Sequence, residues 1–333
     1  MATGTPFVGI DYGRLGNPLP KPEEVVKLLQ KQGVKNVKIY DVDHNVLNAF
    51  TNSGIKLSVS VPNDKVEALF SGGQGAADRW VQENIVPYKD TVTSIGVGNE
   101  WLHPSSRYKD SKALVPVMRL LQTSLSKHRL SEQIKVSTPH AYGGFVNPSF
   151  PPSSGRFQDE GKMREILQFL VDNHSYVMLN VYPFFAYAQE GSIDENYALF
   201  KTPSKAVQDG PLRYTNLFDA MLDTFISAMA KLDPRFKNLP IVVTETGWPN
   251  GGSTRRGVNV ENARYYNQSV IKHVLAKKGT PLRPGQSFPT YIFALFDENQ
   301  KDLVWDHEER HFGHFRVGAN GKVEPVYQLR MAG

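Results

Sequence analysis

The 333-residue chain is predicted to fold as an α/β protein, a (β/α)8 barrel forming one domain over residues 1–333 with an open groove at its C-terminal rim. Eight short, apolar, β-branched segments alternate with amphipathic ones, which is the pattern of a parallel sheet wrapped by helices. No linker or low-complexity stretch divides the chain. An open doubly wound sheet fits less well, because Asp11–Gly16 leads into a proline-rich loop where that fold has a Gly-x-Gly-x-x-Gly turn.

The predicted strands are short and largely apolar, as strands buried on both faces are. In chain order they are Phe7–Asp11, Asn36–Tyr40, Lys56–Val61, Ser94–Asn99, Lys135–Thr138, Tyr176–Tyr182, Ile241–Thr244 and Thr290–Phe296.

Helices are predicted where apolar residues recur with a helical period between these strands. The clearest are Glu23–Leu29, Leu114–Leu130, Arg164–Val171, Leu217–Leu232 and Asn262–Leu275. Pro22 stands near the start of the first, a position that helix starts favour. The longest connection, Pro183 to Thr215, is rich in aromatic residues and would follow strand six on the rim that carries the active site of such barrels.

Composition excludes several classes of protein. The chain has 38 Lys and Arg against 33 Asp and Glu without a basic stripe, which argues against a nucleic-acid partner. No apolar run reaches the length of a membrane helix, so no membrane association is expected. The absence of cysteine excludes disulfides and thiolate chemistry, and leaves only His and carboxylates as metal ligands.

Two glutamates are the strongest functional signal. Glu100 follows predicted strand four and Glu245 follows predicted strand seven, so the barrel would bring both carboxyl groups to one rim. A lone glutamate in such a place is more often an ion-pair partner, but two at strand ends favour catalysis. Glycoside hydrolysis needs one carboxylic acid to protonate the leaving oxygen and one carboxylate to attack or to activate water.

Neighbouring residues suit a carbohydrate site. Asn99 directly precedes Glu100 and is placed to hydrogen-bond a sugar 2-hydroxyl. Glu298 and Lys301, after strand eight, can pair and orient Glu245 or the substrate. Aromatic side chains stack on sugar faces or pack in the core, and their clustering favours a groove; they are Phe184, Phe185, Tyr187 and Trp248.

One motif points to a different chemistry. His307–His311 matches the zinc-peptidase pattern His-Glu-x-x-His, which requires both imidazoles on one face of a helix. The segment is almost wholly charged and offers no apolar face for docking a helix, so no metal site is expected there.

Taken together, several segments resemble plant endo-1,3-β-glucanases of glycoside hydrolase family 17. They are Val8–Gly13, Lys38–Asp41, Val97–Glu100, Asn180–Phe185, Val243–Pro249 and Phe296–Lys301, and the resemblance runs from Phe7 to about Tyr327. It implies a (β/α)8 barrel that cleaves β-1,3-glucan internally with retention of configuration. Asp297 departs from the pattern, since the family commonly has Asn at the position before Glu298.

The resemblance also implies residue roles. Glu100 would be the acid/base and Glu245 the nucleophile, with Glu298, Lys301 and Glu309 as supporting charged residues. The expected substrate-binding residues are Tyr40, Asn99, Asn180, Tyr182, Phe185, Trp248 and Phe296. No cofactor or metal is expected. The implied partner is a β-glucan polysaccharide, and the implied protein is a secreted monomer of the extracellular space, cell wall or vacuole with a role in plant defence.

Alternatives remain open at this stage. A mixed-linkage 1,3;1,4-β-glucanase and a β-1,3-glucan transglucosylase use the same scaffold, and the catalytic pair does not separate them. A non-hydrolytic glucan-binding protein is disfavoured because both glutamates are present.

Overall fold

The strands form the predicted barrel. The structure is a computed structural model that describes residues 5–143, 146, 147, 149–203, 205–302 and 307–331. Its strands, in chain order, are β1 Val8–Asp11, β2 Asn36–Lys38, β3 Lys56–Val61, β4 Val92–Val97, β5 Lys135–Ser137, β6 Pro139–Ala141, β7 Val177–Asn180, β8 Val207–Asp209, β9 Leu212–Tyr214, β10 Ile241–Thr246, β11 Thr290–Ile292, β12 Phe315–Val317 and β13 Val323–Pro325.

Nine of these strands make one parallel sheet in the order β5-β4-β3-β2-β1-β11-β10-β7-β6. Only Thr138 separates β5 from β6, so the two edges of the sheet are contiguous in the chain and the barrel is nearly closed. Lys135–Ala141 therefore occupies the fifth strand position, and each of the eight predicted strands overlaps one of the eight positions. The (β/α)8 prediction is confirmed.

The helices surround the barrel. They are α1 Pro22–Lys31, α2 His44–Phe50, α3 Asn63–Asn84, α4 Leu114–Lys127, α5 Glu160–Asp172, α6 Pro183–Gln189, α7 Glu195–Ala198, α8 Leu217–Leu232 and α9 Val260–Leu275. All five predicted helices are present. Side-chain caps fix several starts: Asp159, Asn216 and Asn259 each accept a backbone N–H from the first turn of α5, α8 and α9. Among the described residues, no helix is long and apolar enough to cross a membrane.

Four of these helices were not predicted from the pattern: α2, α3 and the two short helices α6 and α7. The glycines of α3 weaken its helical signal, and Gly73 has a φ of 60°, which kinks the helix in the middle.

The connection from Pro183 to Thr215 is more ordered than predicted. It contains α6, α7 and the antiparallel β8–β9 hairpin, and most of its aromatic side chains are buried. Tyr197 and Tyr214 form a small cluster with Ala220 that is separate from the main core. These aromatics therefore pack the segment onto the barrel, and Phe185 is left as the half-buried aromatic of α6.

Candidate active site

Glu100 and Glu245 lie at the C-terminal ends of two barrel strands. Glu245 is the penultimate residue of β10, and the pairing register of β10 with β7 shifts between Val243 and Glu245. Such an irregularity re-aims the side chain that follows it, and bulges of this kind are common beside active sites. Glu100 follows β4 by three residues.

The carboxylate of Glu245 is enclosed by three donors. Lys38 Nζ lies 2.7 Å from Oε1, the Tyr40 hydroxyl donates to Oε1 at 2.8 Å, and the Tyr182 hydroxyl donates to Oε2 at 2.7 Å. Burial opposes ionisation of Glu245, but Lys38 and the two hydroxyls outweigh it and hold its pKa below the usual range. Glu245 is thus ionised, with both oxygens held in place.

Glu100 has the opposite electrostatic environment. Burial and then the negative charge of Glu245 raise its pKa to about 7, while a hydrogen bond from Asn180 Nδ2 to Oε1 at 2.9 Å acts in the other direction. Glu100 therefore keeps its proton in weakly acidic solution. Two carboxyl groups with separated pKa values are the arrangement that acid catalysis beside a carboxylate requires.

The backbone at Glu100 is held in an uncommon conformation. Its φ is 51°, in the left-handed region, and its N–H donates to Pro139 O at 2.9 Å. Asn63 clamps the preceding residue, since its Oδ1 accepts from Asn99 N at 2.7 Å and its Nδ2 donates to Asn99 O at 3.0 Å. A Cβ at Gly98 would approach Asn63 Oδ1 to 2.8 Å, so this turn requires glycine.

Asn180 orients Glu100. The Thr244 hydroxyl donates to Asn180 Oδ1 at 2.8 Å, which leaves the amide Nδ2 directed at Glu100 and, at 3.4 Å, at Asn99 Oδ1. The side chain of Asn180 is buried, so its hydrogen bonds go to protein groups, and its predicted contact with a sugar stays a prediction. Asn99, Tyr40 and Tyr182 are half-buried beside Glu100 and Glu245, and the site that these five residues surround is called the cleft from here on.

The supporting charges are grouped at the rim. Lys301 Nζ lies 3.5 Å from Glu298 Oε1 and 3.6 Å from Glu309 Oε2. The Leu15 N–H donates to Glu298 Oε2 at 2.9 Å. A Cβ at Gly13 would lie 2.5 Å from Glu298 Oε1, so glycine allows the close approach of this carboxyl group.

The extra charge at Asp297 is neutralised locally. Its Oδ1 accepts from Gly313 N at 2.8 Å and from Asn250 Nδ2 at 3.0 Å, and its Oδ2 from Arg316 Nε at 3.0 Å. Burial opposes ionisation, but these partners and His311 hold the pKa of Asp297 below its usual range. Asp297 thus anchors the 311–316 segment across the rim.

The aromatic residues divide into cleft and core. Phe185 is half-buried and packs against Tyr182 with ring centroids 5.3 Å apart. Trp248 and Phe296, two predicted sugar-binding residues, have almost no exposed surface, and Trp248 Nε1 donates to Gly257 O at 2.8 Å. Both therefore pack in the core beneath the rim, and a sugar contact by either side chain stays a prediction.

Sequence reasoning assigned no role to Lys38 or Asp11, which lie beside Glu245. The sequence carried an indication: Asp11 is a charged residue at the end of the apolar segment Phe7–Asp11, and Lys38 is one within Asn36–Tyr40. The sequence also suggested no role for Phe293 or Phe312. Their rings pack edge-on against Tyr182, with ring centroids 6.2 and 5.8 Å from that of Tyr182.

The His-Glu-x-x-His segment has a different geometry from a zinc helix. Residues His307–Arg310 form a short 3₁₀ helix, not an α-helix. Glu308 is buried and paired with Arg255 Nη1 at 2.6 Å, and His311 Nδ1 lies 3.7 Å from Asp297 Oδ2. The contacts of Glu308 and His311 thus fix the rim segment that carries Glu309.

The sequence of this chain is similar to that of known glycoside hydrolases. The sequence profile of glycosyl hydrolases family 17 matches residues 8–331. The chain belongs to this family. A glucan endo-1,3-β-glucosidase of Vitis vinifera is 39% identical over 329 residues, 97% of this chain and 92% of the relative. Some Arabidopsis thaliana relatives are longer, and the chain spans 60–65% of their length.

Solved structures of the family share the barrel. The β-1,3-glucanase and pollen allergen CJP38 of Cryptomeria japonica superposes with a TM-score of 0.91 at 42% identity, over 98% of this chain and 99% of that one. A structure from a study of two plant β-glucan endohydrolases with distinct substrate specificities gives a TM-score of 0.86 at 34% identity, over 97% and 99% of the two chains.

Proposed function

We propose that the protein is a glucan endo-1,3-β-glucosidase that hydrolyses internal β-1,3-glucosidic linkages with retention of configuration. The observation that carries this proposal is the unequal state of two carboxyl groups at one barrel rim. Glu245 is ionised and held by Lys38, Tyr40 and Tyr182, whereas the pKa of Glu100 is raised to about 7. The names of the relatives give the linkage.

Each carboxyl group has one role in the first step. Glu245 attacks the anomeric carbon as the bond to the departing sugar breaks, and the proton on Glu100 goes to the departing oxygen. In the second step Glu100, now a carboxylate, takes a proton from water, which attacks the same carbon and releases Glu245. Asn180 directs Glu100 throughout because its amide is fixed by Thr244.

The sugar-contacting residues form part of the same proposal. Tyr40, Asn99, Tyr182 and Phe185 are half-exposed at the cleft, where Phe185 offers a ring to the flat C–H face of a pyranose. Lys301 with its two carboxylates provides charged hydrogen-bonding groups beside them.

Product analysis on two polymers tests the linkage. We expect laminarin to be cut to short β-1,3-oligosaccharides, while mixed-linkage 1,3;1,4-glucan is cut far more slowly. A preference for the mixed-linkage polymer would transfer the chain to the other specificity of this scaffold. Accumulation of products longer than the substrate would indicate transglucosylation.

Azide rescue tests the roles of the two glutamates. Glu245→Ala should lose hydrolysis and regain part of it with azide, giving a glycosyl azide of inverted configuration, because the anion occupies the space of the missing carboxylate. Glu100→Ala should give the azide with retained configuration. The opposite pair of products would mean that the two roles are exchanged.

A further inference from the structure

Asp11 is a buried carboxyl group without a hydrogen bond. It ends β1, has no exposed surface, and neither Oδ atom has a hydrogen-bond partner in the described part of the chain. Lys38 Nζ is 3.8 Å from Oδ1, which is within ion-pair distance but too long for a hydrogen bond. A buried carboxyl group without a hydrogen bond is costly and calls for a reason other than folding.

Lys38 lies between Asp11 and Glu245. Its side chain is 1% exposed, and across the described ranges Asp11 and Glu245 are the two carboxyl groups within ion-pair distance of Nζ. The ammonium contacts Glu245 at 2.7 Å, so the resting enzyme pairs Lys38 with the nucleophile. A buried cation that loses the counter-ion it contacts is strongly destabilised.

The proposed reaction removes that counter-ion. When Glu245 bonds to the anomeric carbon its oxygen becomes part of a neutral ester, while the proton of Glu100 leaves with the departing sugar. Lys38 keeps its positive charge, and its partner has lost the negative one. Neither oxygen of Asp11 has a hydrogen-bond partner among the described residues, and its Oδ1 lies 3.8 Å from Lys38 Nζ, so Asp11 is in place to receive the ammonium.

We propose that Asp11 is a positioning residue that becomes the counter-ion of Lys38 while Glu245 is covalently occupied. The ammonium moves toward Asp11 in the glycosyl-enzyme and returns when water releases Glu245. Asp11 acts through Lys38 and does not contact the sugar. This inference rests on the proposed retaining mechanism.

The charge on Glu245 also acts on Asp11. Burial raises the pKa of Asp11 well above its usual range, Lys38 opposes this, and Glu245 adds to it. Loss of the charge on Glu245 in the glycosyl-enzyme therefore makes the ionised form of Asp11 more favourable. The titratable groups that act on or are affected by Asp11 are Lys38, Tyr40, Tyr182, Glu245, Tyr291, Glu298 and Lys301.

The inference predicts a kinetic split for Asp11→Asn, which keeps the shape of the side chain and removes its charge. Formation of the glycosyl-enzyme should slow, with kcat/KM for an aryl β-laminaribioside falling roughly tenfold, the equivalent of one pKa unit of interaction. The covalent intermediate itself should turn over faster than in the wild type, because it is destabilised more than the transition state that leads out of it.

The experiment measures both steps. Enzyme trapped with 2-deoxy-2-fluoro-β-laminaribiosyl fluoride is freed of excess reagent, and the return of activity gives the lifetime of the intermediate. Asp223→Asn is the matched control: Asp223, in the middle of α8, is also buried, has an unpartnered Oδ1 and accepts hydrogen bonds from the Tyr214 hydroxyl and Leu282 N. Both rate constants of this control should equal those of the wild type.

Each outcome has one meaning. Slower formation with faster turnover in Asp11→Asn, alone among the variants, supports the counter-ion role. Equal slowing of both steps, or unchanged kinetics, overturns it. Difference infrared spectroscopy adds a second readout, since trapping should change a carboxyl band in the wild type, and this change should be missing from Asp11→Asn. If the wild-type enzyme is not trapped on Glu245 at all, the proposed function fails before this inference is reached.

Discussion

Replacing Glu100 by Gln should abolish hydrolysis and yet stabilise the folded protein at alkaline pH. The amide keeps an acceptor for Asn180 Nδ2, which lies 2.9 Å from the native Oε1, but it neither donates a catalytic proton nor ionises. The native carboxyl group must ionise in a buried site beside Glu245, so above neutral pH it destabilises the fold.

The magnitude follows from the pKa. Burial and Glu245 raise the pKa of Glu100 from 4.5 to about 7. A raised folded-state pKa means that the stabilising contribution is complete below the unfolded pKa and is lost as the pH rises through about 7. The shift corresponds to about 3 kcal/mol at most. Because Glu100 is partly exposed and water screens part of the repulsion, we expect a gain of about 1–3 kcal/mol at pH 8 and almost none at pH 4.

The assay is equilibrium unfolding in denaturant at pH 4 and pH 8, comparing wild type with Glu100→Gln. Glu165→Gln is the control, since Glu165 is an exposed glutamate of α5 and its replacement should change stability equally at both pH values. A gain for Glu100→Gln that is the same at pH 4 and pH 8, or a loss at pH 8, would refute the electrostatic account of the acid.

Three further predictions concern activity. The kcat/KM for laminarin should fall above about pH 7, where free Glu100 loses its proton; a profile flat to pH 9 would contradict this assignment. Phe185→Ala should weaken binding of long β-1,3-oligosaccharides by about 1–3 kcal/mol with little change in melting temperature. Phe184 is wholly buried, so Phe184→Ala should instead lower the free energy of unfolding by about 3–5 kcal/mol. Calorimetry of both variants checks the pair, and the reverse result would put Phe185 in the core. Exhaustive EDTA treatment should leave activity intact, because two carboxyl groups suffice; loss restored by zinc would revive a metal role for His307–His311.

The sequence by itself determined the barrel and the position of the two glutamates. Eight apolar segments alternating with helical ones have few ways to fold, and parallel strands in a closed barrel bring their C-terminal ends to one rim. Glu100 and Glu245 follow from that rule alone, since each comes at the end of an apolar segment. The four helices that were not predicted, α2, α3, α6 and α7, are short or interrupted by glycine, so their local pattern is weak.

Only the tertiary structure decided the chemical state of the site. The ionisation of Glu245 depends on Lys38, 207 residues away in the chain, and the orientation of Glu100 depends on Asn180, 80 residues away. Whether an aromatic side chain faces the cleft or the core is equally non-local, as the buried Trp248 and the half-buried Phe185 show. A pKa and a solvent-exposed face are properties of the space around a side chain, and that space is built by distant segments that periodicity does not relate.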